Sequence, residues 1–313
     1  RGWAWFMFLR AALAHPSACL ASNGQALLQS ARVTLETRLE GSDVAFSPYD
    51  FELEAEPNHA TWVYMHIAKT GGSSWVQNMR SDILPIFLQG DGFLSGENCS
   101  HELAQAVRTQ TNTHFSVMLR EPRAEIYSLY MMDCCSEWGK AVRKYTVPHP
   151  ENVTAWLTWF SQLHGTENFG TYHPLNFQAR HFICLDNAHE VLLPEPSISS
   201  VLANFSQDFE FVGILERYQE SICLFISIAS GKLPAYCNCD DPESWRTFPE
   251  VEESYEVPPH DISDLSSDDI RMIDELTKQD AVLYAAGVQR FIQDIDLAEQ
   301  KHGVRILCDR EIM

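Results

Sequence analysis

The sequence predicts an α/β fold with a central, mainly parallel sheet flanked by helices. Three runs, 61–67 (TWVYMHI), 113–119 (THFSVML) and 209–215 (FEFVGIL), are short, apolar and rich in β-branched and aromatic residues, as buried strands are. Segments with helical periodicity follow each run, and strands that alternate with helices build a mainly parallel sheet. The composition, 45% hydrophobic and 21% charged over 313 residues, supplies apolar mass for one large core.

Residues 1–57 read as a peripheral segment and 58–313 as the domain proper. Gly2–Leu9 is an apolar run too short to span a bilayer. It reads either as the remnant of a signal or N-terminal membrane anchor, or as a terminal helix. Ala26–Leu39 has mixed helical periodicity, and Ser42–Pro57 is acidic and irregular. The core begins at Thr61. Helices are expected over Ser73–Met79, His101–Arg108, Ala124–Met132 after Pro122, Val153–Leu163 and Gln219–Ser230. Lys232–His260, rich in Pro, Asp and Glu, reads as loop. Ser266–Gln293 reads as helical, with Asp268 and Asp269 suited to the positive end of the macrodipole.

The net charge of -21 argues against a nucleic-acid binder and against attraction of a heavily sulfated polymer. An anionic ligand must instead be held by a few local cations and backbone N–H groups. None of the nine cysteines has zinc-site spacing, and no convincing metal site is offered. Cys237 and Cys239, two apart, are each free to pair elsewhere, while Cys134 and Cys135 read as disulfide partners or as small buried groups. Three N-x-S/T sequons, at Asn98, Asn152 and Asn204, exceed the one or two that about eleven asparagines would give by chance. They point to the secretory pathway.

Two segments carry chemistry. The first is His66-Ile67-Ala68-Lys69-Thr70-Gly71-Gly72-Ser73-Ser74-Trp75, directly after the first core strand. Two glycines permit a tight turn and close approach to an anion. Ser73 and Ser74 are placed to cap the following helix, whose first N–H groups are free, and Lys69 adds a positive charge. Lys69 precedes both glycines, so this is not a Walker A loop, and a bare structural corner with a surface lysine is the alternative. The second segment runs from Val117 through Arg120-Glu121-Pro122 to Ser128. Arg120 stands at a strand end, where α/β proteins gather ligand contacts, and Ser128 lies two turns into the next helix. The alternative is an Arg120 paired with Glu121 or Glu125.

Together the segments resemble the PAPS-dependent carbohydrate sulfotransferases of the Golgi type, those that include the heparan sulfate 2-O- and 6-O-sulfotransferases; PAPS is 3'-phosphoadenosine 5'-phosphosulfate. His66–Ser74 is similar to that family's 5'-phosphosulfate loop, H-I-P-K-T-[AG]-G-[ST]-[ST], with Ala68 in place of Pro. Leu119–Tyr130 is similar to its 3'-phosphate motif, R-[DE]-P-x-x-R-x-x-S-x-Y, with Glu125 in place of the second Arg and Arg123 two residues earlier. Weaker echoes are Asn176–Arg180 (N-x-Q-x-R), Phe211–Arg217 (F-V-G-L-T-E-R) and Asp280–Tyr284 (D-x-x-L-Y).

The resemblance implies a P-loop-like fold and sulfuryl transfer from PAPS to a carbohydrate hydroxyl, with 3'-phosphoadenosine 5'-phosphate (PAP) as product. It assigns Lys69 to the leaving phosphate, Thr70, Gly71, Gly72, Ser73 and Ser74 to the 5'-phosphosulfate, and Arg120 and Ser128 to the 3'-phosphate. No metal enters this scheme. His101, between the two motifs, is the candidate general base, with Glu97 and Glu102 as rivals. His66 reads as loop-supporting, Gln178 and Arg180 as cofactor or substrate contacts or ordinary surface groups, and Arg143 and Lys144 as acceptor contacts. The implied compartment is the Golgi lumen. A phosphotransferase with a variant loop, or a non-catalytic nucleotide- or glycan-binding protein of this fold, are the alternatives.

Overall fold

A computed structural model describes residues 51–107, 110, 112–136, 139, 152–162, 172–184, 195, 197–249 and 257–309. All of these fall in one unit, Ser47–Met313. The readings for Gly2–Leu9 and Ala26–Leu39, and for Arg143 and Lys144, lie outside the described residues.

The protein is α/β. Five strands, β1 (Phe51–Leu53), β2 (Thr61–Met65), β3 (Gly92–Gly96), β4 (Thr113–Leu119) and β5 (Phe211–Ile214), form one sheet in the order β1-β3-β2-β4-β5. β1 pairs antiparallel to β3, and the other three pairings are parallel. Every residue of the central β2 is buried, as a strand covered on both faces requires. Two strands escaped the sequence. β1 lies within the acidic stretch read as irregular, and β3 (GFLSG) has two glycines and a serine among five residues, a composition that weak strand propensity hides.

Helices cover both faces. α1 (Gly72–Asn78) continues through a wider π turn at Met79–Ile83 into α2 (Leu84–Phe87). α3 (Ser100–Ala106), α4 (Pro122–Cys135), α5 (Val153–Gln162) and α8 (Tyr218–Ser230) stand where helices were expected, within a few residues. α6 (Phe177–His181) and α7 (Ile198–Asp208) were not anticipated. The stretch read as loop from Lys232 carries a 3-10 turn at Ala235–Cys237 and the short α9 (Pro242–Trp245), which Asp241 caps. The last helical region divides at Thr277 into α10 (Ser267–Leu276) and α11 (Lys278–His302). Asp269 does more than suit the dipole: with Ser266 it forms a reciprocal capping box, each side chain binding the other's backbone N–H.

Aromatic packing fixes α1 on the sheet. Trp75, fully buried, stacks between Tyr64 of β2 and Phe211 of β5, with ring centroids 5.3 Å from each, and Phe225 of α8 meets it edge-on at 5.0 Å. On the opposite face α11 approaches closely at Gly287, where a Cβ would overlap Leu119 of β4. In the parallel register Met65 at the end of β2 lies beside Gly96 at the end of β3 and Val117 near the end of β4, so the loops that leave these strands share one edge.

Among the described residues, four disulfides join Cys99–Cys184, Cys134–Cys135, Cys223–Cys237 and Cys239–Cys308. Cys237 and Cys239 thus do pair elsewhere. The four bridges fit an oxidising, secreted or lumenal environment. Among the described residues no helix is long and apolar enough to cross a membrane.

Candidate functional site at the C-terminal edge of the sheet

The chain leaves β2 through His66, whose N–H donates to the Gly96 carbonyl at the end of β3. It then turns sharply. Thr70 Oγ1 donates to the Ile67 carbonyl at 2.8 Å, Lys69 takes a left-handed backbone (φ 66°), and so does Gly71 (φ 85°). Gly71 occupies the N-cap of α1 and contributes no side chain to it. This corrects the expectation that Ser73 or Ser74 caps the helix: both lie inside its first turn, half-buried, because the left-handed Gly71 starts the helix early. Gly72 is needed for a different reason. The His66 ring lies over its Cα, and a Cβ there would overlap the ring. His66, buried, thereby supports the loop.

Arg120 leaves β4 beside this loop. Its Nη1 donates to the Lys69 carbonyl at 2.9 Å, so the two segments singled out in the sequence meet. Burial first, then the Arg120 charge, pulls the Lys69 pKa down to about 8, while Glu97 acts in the opposite direction. Both Arg120 and Glu97 are therefore within electrostatic reach of the Lys69 ammonium. Burial likewise holds Arg120 below its ordinary pKa, against the pull of Glu216, Glu125 and Glu121. Ser128 is buried on α4.

The three weak echoes lock around Arg120. Gln178 of α6 grips its backbone from both sides, donating Nε2 to the Arg120 carbonyl at 2.8 Å and accepting the Arg120 N–H at 3.1 Å. Asp280, in the first turn of α11, turns its carboxyl to the start of α6 and accepts the Ala179 N–H at 2.8 Å. Asn176 binds back, accepting the Gln279 N–H at 2.9 Å. Tyr284, one turn along α11, donates its hydroxyl to Glu216, which also accepts the Glu121 N–H. Gln178 and Arg180 are 1% and 2% exposed, so neither is the surface group that the sequence left open.

Glu125 occupies the position where the resembled motif has an arginine. It is fully buried, and among the described residues neither carboxylate oxygen meets a donor in hydrogen-bond geometry; the Gln178 amide, close enough to favour the ionised form, is aligned on the Arg120 backbone. Burial, and then the Asp280 carboxyl, push its pKa well above the usual carboxylate range, with Arg120 opposing. Asp280 is pushed up to about 7 by burial, against its backbone hydrogen bonds. Arg123, the other cation near the motif, is engaged at the surface by both oxygens of Asp274, at 2.6 and 2.9 Å.

The candidate bases separate. His101 is exposed near the start of α3, its Nε2 2.8 Å from the Gln105 amide. Glu102 accepts from Asn98 on the same exposed surface. Glu97 follows β3 directly and accepts the Tyr172 hydroxyl at 2.6 Å. Two further histidines lie nearby. Burial lowers His173 to about 3 and His181 to about 4, with the Arg180 charge contributing to both, so both are neutral imidazoles at neutral pH.

A half-buried ammonium, an arginine from the neighbouring strand end and two hydroxyls in a helix's first turn fit a phosphate or sulfate group. The Glu125 corner fits a second phosphate only with its carboxyl protonated. Sequence reasoning missed Tyr172 and Asp280 as site residues. Asp280 carried a signal in its family echo, whereas Tyr172 carried none, because its partner Glu97 is 75 residues away. The fold is α/β, and Lys69 and Arg120 meet at one corner between the parallel strands β2 and β4. Compared with known proteins, no family model matches the chain and no curated protein matches it.

Proposed function

We propose that the protein is a sulfotransferase that moves a sulfuryl group from PAPS to a hydroxyl of a carbohydrate acceptor, in the lumen of the Golgi. One observation carries the reading. Lys69 and Arg120, the cations of two sequence segments 51 residues apart, share a loop corner through the Arg120–Lys69 contact of 2.9 Å. Lys69 offsets the negative charge that grows on the leaving phosphate as the S–O bond breaks. Thr70 and the glycines shape the loop, and Ser73 and Ser74 offer hydroxyls to the phosphosulfate. Arg120 holds the 3'-phosphate with Ser128 behind it, and Glu125 stays protonated beside that phosphate. Glu97, oriented by Tyr172, takes the acceptor proton. Glu97 leaves β3 at the same sheet edge as the Lys69 loop and its charge reaches Lys69, whereas His101 is exposed, which supports Glu97 over His101.

The test is transfer of labelled sulfate from PAPS across a panel of glycans and small alcohols, together with thermal stabilisation by PAP, ADP and ATP. PAP at a hundred times its Kd adds about 2.7 kcal/mol of apparent stability, and ADP, which lacks the 3'-phosphate, adds less at equal concentration. Equal shifts with ADP and PAP overturn the assignment of Arg120 and Ser128. The buried Glu125 carboxyl favours one other reading, a nucleotide- or glycan-binding protein of this fold without transfer activity. PAP binding with no labelled product on any acceptor would support that reading.

A further inference from the structure

The three sequons differ in what the folded chain does with the nitrogen that would carry a sugar. At Asn98, Nδ2 donates to Glu102 at 3.2 Å and Oδ1 is buried. The next residue, Cys99, is bridged to Cys184, and the sequon's Ser100 is 8% exposed, with its hydroxyl on the Phe182 carbonyl. Asn204 sits inside α7, half-buried, and its Nδ2 donates to that same Phe182 carbonyl at 2.7 Å. A sugar on Asn204 would displace the contact with the Phe182 carbonyl, and one on Asn98 would displace the contact with Glu102 beside a buried sequon serine and a disulfide.

Asn152 is different. It is exposed, immediately ahead of α5, and its Oδ1 caps that helix by accepting the Ala155 N–H at 2.9 Å. The cap uses the oxygen alone, and among the described residues no group binds Nδ2. Thr154, which completes the sequon, is exposed as well, although its hydroxyl donates to Asp269 at 2.7 Å, so the contrast with Ser100 lies in exposure and not in a free hydroxyl. A sugar on Nδ2 therefore leaves the helix cap intact and extends into solvent.

We infer that Asn152 is the N-glycosylation site of this protein and that Asn98 and Asn204 are carried unmodified. The donor is a polyprenyl-pyrophosphate-linked oligosaccharide of the secretory lumen. The Asn152 Nδ2 forms a bond to C1 of the first sugar, and the bond from C1 to the lipid pyrophosphate breaks. The pyrophosphate leaves with the bonding electron pair, and the amide loses one proton to the transferase's base.

The experiment secretes the full chain from a eukaryotic host and releases glycans enzymatically in heavy-oxygen water, which converts each glycosylated asparagine to a labelled aspartate. Peptide mass spectrometry should find the label at position 152 and at neither 98 nor 204. Asn152→Asp preserves a side-chain cap while removing the acceptor amide, so the secreted variant should fold and migrate faster by one glycan. Asn98→Gln and Asn204→Gln should leave migration unchanged. Label at 98 or 204 comparable to that at 152, or no label at 152 in the secreted protein, overturns the inference.

Discussion

Lys69 is placed so that its charge is conditional. With its pKa drawn down to about 8, the side chain is partly neutral at mildly alkaline pH, and a bound anion favours the ammonium. Binding of PAP at pH 8–9 should therefore take up protons. Calorimetry in two buffers of different ionisation enthalpy should read this as unequal apparent enthalpies, and Lys69→Ala should remove the difference. The same variant should fold and lose turnover by on the order of a hundredfold, more than it loses affinity for PAP. Wild-type turnover in Lys69→Ala would end the transfer mechanism. Glu125 gives a second pH dependence of opposite origin. Its folded pKa is raised, so the folded state binds the proton more tightly than the unfolded one. The stability it contributes is complete below the unfolded carboxylate pKa and declines as pH rises toward the folded value. Glu125→Gln, which stays neutral, should denature at the same urea concentration as wild type near pH 4 and at a higher one near pH 8. A variant less stable at both pH values would mean that Glu125 is ionised against Arg120.

At the scale of elements, α6 is the unexpected part. Five residues long, it carries Gln178 to the Arg120 backbone and receives Asp280 from α11. Gln178→Ala should leave the sheet intact, cost roughly 1–3 kcal/mol for the two backbone groups it strands, and weaken PAP binding by loosening Arg120. Unchanged PAP affinity would separate α6 from the site. The strands β2, β4 and β5 and most of the longer helices were legible because their periodicity is local. Likewise the loop and Arg120 could be singled out because each lies on one contiguous motif. β3 was hidden by glycine, and β1 by the acidic residues around it, since only the partner strand reveals a three-residue edge. α6 is too short for periodicity and is held by Asp280, about a hundred residues later, so nothing near it in sequence announces a helix. The Ser73/Ser74 capping expectation failed because a left-handed glycine moved the helix start by one turn position, which residue preference alone does not encode.

Across the whole molecule, the sheet edge is held by covalent as well as packed contacts. Loop-closure entropy assigns about 3 kcal/mol to the 14-residue loop of Cys223–Cys237 and about 4.5 kcal/mol to each of the long loops closed by Cys99–Cys184 and Cys239–Cys308. The double variant Cys99→Ser with Cys184→Ser should therefore lower stability by roughly 2–5 kcal/mol in equilibrium denaturation. A loss confined to a few tenths would mean that the bridge does not constrain the unfolded chain. Cys99–Cys184 also has a topological result. Lys69 lies outside the 85-residue loop it closes, and Arg120 and Gln178 lie inside it. A protease that cuts one peptide bond between the two cysteines leaves two polypeptides still joined as one molecule, travelling as a single band until a reductant frees them. When the cut falls before Arg120, the nicked form would keep Lys69 and Arg120 tethered although they no longer belonged to the same continuous main chain.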